Sequence, residues 1–501
     1  MSHTSLTKFR RKDTCFIDDL HDVMSNKATQ HLIELYGKTS ADMNVLILYF
    51  KLYQNIWNTY KDKFNSNPKR EQMTRLISII MKDSLFRREV MKEFEKFQKY
   101  ENIQFDFVSR LFPDNILLDK TLPTIQKIHL DGRVVLIYVD FNVPMKKNKI
   151  VNNKRIIAAL PTIMYALNHG AKNVVLMSHL GRPKGKVVKK LSLKPIAVEL
   201  EHLLGQKVSF ELPIAKPQYT EKVVLLENLS FYSVENQHDN IFQTQLSKWG
   251  DVYIFDSFRT AHRKYSVVGM NHADKAIGLL VDKELMYFNK IMSMPNRPFV
   301  CIMGGSKMSN KTKLIKNLLP KIDHLIIGGA LAYRFKYSVM NIRSSMFNTG
   351  ELTHINKIIK LAKEHKVQVH LPIDHVVASS YNNDAKIQII TNMEEIPEGW
   401  IAVDIGPKSI EKFSNIIYLA ETILMNGPLG EFEMSSFSTG SFAIMKALAE
   451  TKATTAVVGG DTVSCAEKST YAGKIDHIST GDGASLALLK GCVLPAIQNI
   501  N

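Results

Sequence analysis

Cysteine is scarce in this sequence. Four occur in 501 residues, Cys15, Cys301, Cys465 and Cys492, far apart and in no Cys-x-x-Cys or other metal-ligand spacing. That argues against a disulfide-stapled secreted domain and against a cysteine-built zinc site. No apolar run approaches the ~18 residues of a membrane span, so no membrane partner is expected. The stretch Met1 to Cys15 carries no secretory pattern, and the cytoplasm is the expected compartment. An Arg-rich tract and an aromatic RNA-binding signature are both missing, which removes nucleic acid from the expected partners. Negative charge is in short supply: 48 Asp and Glu against 65 Lys and Arg leave a formal net charge of +17. Such a balance suits anions held in a basic cleft, nucleotides and phosphorylated metabolites among them.

What remains is the composition of a soluble globular protein, long enough for two or three domains. Residues 1–115 read as helix. Ser40 is a candidate N-cap for the strongest segment, Asp42 to Phe64, where Leu46, Tyr49, Phe50, Tyr53, Ile56, Trp57 and Tyr60 form one wide apolar stripe. Such stripes pack into a bundle; a face for a protein partner is the second reading. This extension carries no catalytic constellation. Pro113 and Pro123 punctuate a linker.

From Leu130 onward aliphatic runs alternate with helical patterns, the sign of βαβ units and parallel sheets. Strands are predicted at Val134–Asp140, Asn173–Met177, Val223–Leu226 and Val252–Asp256. A helix follows over Asp282 to Met292. A second series is predicted at Phe299–Met303, His324–Ile327, Val367–Leu371, Thr422–Met425 and Thr455–Val458. The fold class expected is α/β: two doubly wound parallel-sheet lobes joined by a hinge helix and preceded by an all-α extension. In such sheets ligands sit beyond the carboxyl ends of the strands.

Polar motifs stand at those ends. Val139-Asp140-Phe141-Asn142-Val143-Pro144 closes the first strand. Asn152-Asn153-Lys154-Arg155 opens a helix, Ser178-His179-Leu180-Gly181-Arg182-Pro183 follows the second strand, and Asp256-Ser257-Phe258-Arg259-Thr260-Ala261-His262-Arg263 ends another. Together, and in this order, they resemble the phosphoglycerate kinase family over roughly residues 116–501. The resemblance implies residues 116–292 as a glycerate-binding lobe with its interdomain helix and 293–484 as a nucleotide-binding lobe. It returns 485–501 to the first lobe. It also implies a monomer whose substrates are 3-phosphoglycerate and ATP, or 1,3-bisphosphoglycerate and ADP, with Mg2+ on the nucleotide.

Residue by residue, the resemblance assigns Asp140 and Asn142 to the glycerate's hydroxyl and carboxylate. Arg155 goes to the group in transfer, and His179, Arg182 and Arg263 to the distant phosphate. A guanidinium suits these tasks because its planar fork matches phosphate oxygens. On the nucleotide side stand Gly304-Gly305-Ser306-Lys307-Met308-Ser309-Asn310-Lys311, with Lys307 and Lys311 supplying charge. Its order, glycines then lysine, is not that of a P-loop. Gly329 and Ala330 resemble the adenine-side turn. Asn426, Pro428 and Glu433 resemble the ribose side. Gly460 and Thr462 resemble the magnesium-nucleotide loop, with Asp461 as the metal-side carboxylate. Arg155 and Lys311 are expected to meet across a closed cleft.

The departures from the family are specific. Ser230 stands where an Arg is usual, a charge-assisted contact worth ~1.5–3 kcal/mol. Arg259 and Asp482 each replace a Gly, Val458 and Ala330 replace two more, Asn310 replaces an Asp, Tyr138 an Arg and Met425 a Trp. Arg259 is expected to make up part of the charge lost at Ser230. Asp482 sets a negative charge beside the phosphoryl path. Two functional classes therefore compete. One is a kinase, of full or reduced activity; the other is a scaffold that keeps both pockets without useful turnover.

Overall fold

The computed structural model describes residues 122–500 except 238, 266, 268–269, 294, 306–310, 341–351, 392–393 and 395. The helices expected before residue 115 lie outside the described residues, as do Ser306, Lys307 and Asn310. Among the described residues seventeen strands follow one another. The first group is β1 (Val134–Val139), β2 (Met145–Lys146), β3 (Lys149–Ile150), β4 (Asn173–Met177), β5 (Val208–Glu211), β6 (Val223–Leu226), β7 (Val252–Asp256) and β8 (Asp274–Ile277). The second is β9 (Phe299–Met303), β10 (His324–Ile327), β11 (Gln368–His370), β12 (Asp374–Ala378), β13 (Ile387–Thr391), β14 (Ile401–Ile405), β15 (Thr422–Asn426), β16 (Thr454–Val457) and β17 (His477–Ile478).

Six strands pair in the order β5-β6-β4-β1-β7-β8, and six more as β11-β10-β9-β15-β16-β17. Every pairing within these two sheets is parallel. All six residues of β1 are buried, as a central parallel strand covered on both faces requires. Its alternate side chains part company. Val135, Ile137 and Val139 pack with Ile156, Ile163 and Leu200 from the helices Lys154–Asn168 and Lys194–Leu204. Leu136 and Tyr138 join Phe242, Leu246 and Phe288 on the other face. Asp140 immediately follows the carboxyl end of β1 and so stands at the mouth of the sheet.

Local chemistry sets the helix ends. Pro195 stands in the first turn of Lys194–Leu204, and Gly205 ends it in the left-handed region at φ +66°. Asp239 accepts a hydrogen bond from the Phe242 N–H at 2.7 Å, an N-cap. The two lobes are joined by the helix Leu279–Ser293, which starts three residues before the sequence pattern predicts. Its start is fixed from a distance: Asp256, at the end of β7, accepts from the N–H groups of Leu280 (3.0 Å) and Val281 (3.3 Å). The sequence reading missed β5, β8 and the antiparallel sheet β13-β12-β14. Ile387 and Ile389 of β13 are exposed, so that strand lacks the clean apolar face that pattern reading relies on. Among the described residues no helix is long and apolar enough to cross a membrane.

Asp256 also carries a pH prediction. Burial raises its carboxyl pKa to about 7, against the hydrogen bonds from Thr162, Val281 and Leu280. An unfolded Asp titrates near ~3.9. Between those values the native state keeps a proton that the unfolded chain has released, so stability falls as pH rises through that window. Asp256→Asn removes the titration and is expected to flatten the slope, seen in denaturant midpoints at about pH 5 and about pH 8. An unchanged slope would show Asp256 already ionised in the native state.

Candidate active site

The carboxyl ends of β1, β4 and β7 gather the first set of residues. Asp140 Oδ1 accepts from the Asn142 N–H at 3.1 Å, and Asn142 Oδ1 accepts from the Gly181 N–H at 2.9 Å. The buried Ser178 hydroxyl donates to the Val139 carbonyl at 2.7 Å and accepts from the Phe141 N–H at 2.9 Å. Two neighbouring strand ends are thereby locked in register. Arg155, in the first turn of its helix, donates to the Asn142 carbonyl and stands 3.6 Å from the Asp140 carboxylate. Burial lowers its pKa and Asp140 opposes that; a guanidinium stays charged regardless.

His179 is buried beside this pair. Its Nδ1 shares a 3.2 Å hydrogen bond with the Tyr138 hydroxyl. Burial lowers the His179 pKa, Asp140 pulls it back, and the guanidiniums of Arg263, Arg155 and Arg259 lower it further. The ring is therefore neutral at pH 7, a hydrogen-bonding group rather than a cation. Tyr138, one of the family departures, thus orients His179. Arg263 bonds the Tyr265 hydroxyl and lies 5.5 Å from that ring's centroid. Arg182 is exposed in the loop after β4.

The segment around Ser230 has a structural task that the sequence reading missed. Glu227 accepts from Ser192 Oγ (2.7 Å), the Leu193 N–H (2.9 Å) and the Asn228 N–H (2.7 Å). The buried Asn228 side chain accepts from the N–H groups of Leu180 (3.1 Å) and Ser230 (3.0 Å) and donates to the carbonyls of Leu180 (2.7 Å) and Leu191 (2.9 Å). An acid and an amide in tandem after a buried strand were the available signal. Here they hold the loop that carries His179 and Arg182.

At the carboxyl ends of β9, β10 and β15 the backbones themselves touch. A Cβ on Gly304 would fall 2.0 Å from the Pro428 carbonyl oxygen, and one on Gly427 2.5 Å from the Gly304 backbone. Gly305 donates to the Pro428 carbonyl (2.9 Å), and Gly329 to that of Leu429 (3.0 Å). Gly305, Gly329 and Pro428 therefore share one knot of turns, and Ala330 follows in the first turn of the helix Gly329–Met340. Lys311 Nζ donates to the Asn426 carbonyl at 2.8 Å and its Oδ1 at 2.6 Å. Burial lowers its pKa to about 8, with Cys301 and Asp461 opposing. Asn426 Nδ2 donates to the Val458 carbonyl at 2.9 Å, and Thr462 Oγ1 accepts from the Gly427 N–H at 2.7 Å. Gly460 and Asp461 lie in the first turn of the helix Gly460–Lys468, Asp461 exposed. Glu433 is exposed in the turn beyond Leu429. Among the described residues no three of His, Cys, Asp or Glu cluster to hold a metal ion.

Among the described residues, polar contacts tie the lobes at their seam. Glu284, on the joining helix and 1% exposed, accepts from His477 Nε2 (2.8 Å), Ser479 Oγ (2.8 Å), the Thr480 N–H (2.6 Å) and Thr480 Oγ1 (2.7 Å). Lys154 pairs with Glu467 at 2.7 Å. Arg259, after β7, pairs with Asp482, after β17, at 2.9 Å. The charge expected to replace the one missing at Ser230 is thus directed to Asp482 instead. Beyond β17 the chain packs Asn317 Nδ2 on the Leu489 carbonyl (2.9 Å) and sends the Ala496 N–H to the Ala261 carbonyl (3.2 Å).

The sequence profile of the family described as phosphoglycerate kinase matches residues 125–492. The phosphoglycerate kinase of Schistosoma mansoni is 45% identical over 404 residues, covering 75% of this chain and 97% of that protein. The probable phosphoglycerate kinase of Caenorhabditis elegans is 41% identical over 408 residues, with the same two coverages. Among solved structures, phosphoglycerate kinase from Coxiella burnetii aligns with a TM-score of 0.71 at 32% identity, over 76% of this chain and 98% of that one. That from Pyrococcus horikoshii aligns at 0.64 and 28% identity over the same shares. With its two parallel sheets, the polar residues at their strand ends and these matches, the chain belongs to the phosphoglycerate kinase family.

Proposed function

We propose that this protein transfers a phosphoryl group between 1,3-bisphosphoglycerate and ADP, giving 3-phosphoglycerate and ATP, and the reverse. Residues 116–292 form the glycerate lobe, 293–484 the nucleotide lobe, and 485–501 return to the first. Such transfer asks for alignment and positive charge more than for covalent chemistry. One observation carries the reading. Arg155 is anchored by Asp140 and Asn142 in the first lobe, and its chain neighbour Lys154 pairs with Glu467 of the second lobe at 2.7 Å, so the guanidinium stands where the lobes meet. A guanidinium so placed can serve a group crossing from one lobe to the other.

Asp140 and Asn142 hold the glycerate end, and His179, Arg182 and Arg263 the far phosphate. Lys311 faces the nucleotide phosphates from the knot of turns that Gly305, Gly329, Asn426 and Pro428 build, with Ser306 and Lys307 beside it in sequence, Ala330 following Gly329 and Glu433 toward the ribose. Asp461, near Gly460 and Thr462, would be the protein carboxylate toward a magnesium ion bound with the nucleotide, which would supply positive charge to the phosphate oxygens. A hinge movement of the lobes closes the cleft and excludes water.

The test is a coupled assay of the purified protein with MgATP and 3-phosphoglycerate; background rates throughout would favour a scaffold. Its pH profile is informative too. The Lys311 ammonium is present below about pH 8 and is lost above it. We expect kcat/KM for MgATP, which reports the free enzyme, to decline above about pH 8. The limb in kcat should lie higher, because bound phosphates favour the ammonium. Coincident limbs would place the titrating group elsewhere.

A further inference from the structure

Asp482 is an outlier of the backbone as well as of charge. Its φ is +45°, a region that L side chains rarely adopt, at the residue just before the helix Gly483–Leu489. Strain of this kind persists where the surroundings over-determine it. Here the surroundings are specific. Asp482 Oδ2 takes the Arg259 guanidinium at 2.9 Å, and Oδ1 lies 4.0 Å from where a Gly460 Cβ would stand. The carboxylate therefore sits between an arginine of the first lobe and the start of the helix Gly460–Lys468 in the second. Arg155 and His262 both lie within electrostatic reach of the pair. An uncompensated carboxylate at this seam would repel every phosphorylated ligand entering it.

We propose that Arg259 is a positioning residue for the phosphoryl-transfer site: it holds and neutralises Asp482, so that the two act as one unit facing the anionic substrates. The inference rests on the reaction proposed above. It makes the Arg259 charge a partner to a protein carboxylate rather than a ligand to substrate, and the two roles predict opposite epistasis.

The experiment is a double-mutant cycle of Arg259→Gly, Asp482→Gly and the pair together. Affinity for 3-phosphoglycerate is read by calorimetry, kcat and KM by coupled assay, and thermal midpoints confirm that each variant is folded. Arg259→Gly is expected to weaken 3-phosphoglycerate binding and kcat by ~10-fold or more, with a loss that shrinks as salt is raised, because a bare charge is screened. Adding Asp482→Gly to it should recover most of that loss, and Arg259→Lys should keep part of the parent's affinity. A double variant no better than Arg259→Gly alone would overturn the proposal and make Arg259 a direct ligand. An Arg259→Gly protein equal to its parent would overturn it as well. A parent that binds 3-phosphoglycerate without turnover would count against the kinase reading only, since the cycle is still read on binding. A parent that does not bind it overturns both.

Discussion

Arg155→Ala is expected to lower kcat by ~10³-fold or more, the order of effect that a guanidinium on a transferring phosphoryl group supplies. KM for MgATP should change little, because the residue belongs to the first lobe and the turns proposed for the nucleotide lie in the other. The geometry excludes a merely structural loss. Arg155 is half-buried on a helix whose apolar face, Ile156, Ala159 and Ile163, does the packing, and its own contacts are with Asn142 and Asp140 at the rim of the sheet. Arg155→Lys should recover little, since an ammonium cannot present two parallel donors. Steady-state kinetics on the three proteins settle the matter. A kcat within threefold of the parent for the Ala variant would take Arg155 out of the chemistry.

The second large effect is on stability. Glu284→Ala should cost roughly 3–5 kcal/mol, the scale found when one partner of a buried charged network is removed. Four donors would be left facing a void: the His477 ring, the Ser479 and Thr480 hydroxyls and the Thr480 N–H. Tyr287 and Phe288 pack on the same His477 ring, stacked at 4.4 Å and edge-on at 6.2 Å, so little water can replace the carboxylate. Glu284→Gln keeps the shape and one acceptor oxygen and should lose less. Denaturant midpoints measure both. A loss below about 0.5 kcal/mol for the Ala variant would mean that the seam relaxes around the gap. Since this helix joins the two lobes, the Ala variant should also lose turnover out of proportion to its unfolded fraction.

Glu284 is inconspicuous in the sequence. Asp282-Lys283-Glu284 reads as one charged turn of a helix, and any of its members could have faced water. Only packing decides that Glu284 points inward at residues nearly two hundred positions away. The same holds for Arg259 and Asp482, which sequence comparison flags as two separate oddities. Each is strange alone, and distance along the chain hides that they are partners. Ser230 shows the reverse case, where a missing guanidinium is plain in the sequence while the loop-building role of Glu227 and Asn228 beside it is not.

By itself the sequence determined the parallel sheets, because strands buried on both faces must be continuous aliphatic runs, and β4, β6, β7, β9 and β10 begin and end where those runs do. It also determined which polar residues stand at the strand ends, because chain order places them there directly. The tertiary structure alone decided how the lobes meet. The Glu284 network, the Lys154–Glu467 pair and the Arg259–Asp482 pair join residues far apart in the chain, and electrostatic complementarity of that kind leaves no periodic mark in a sequence.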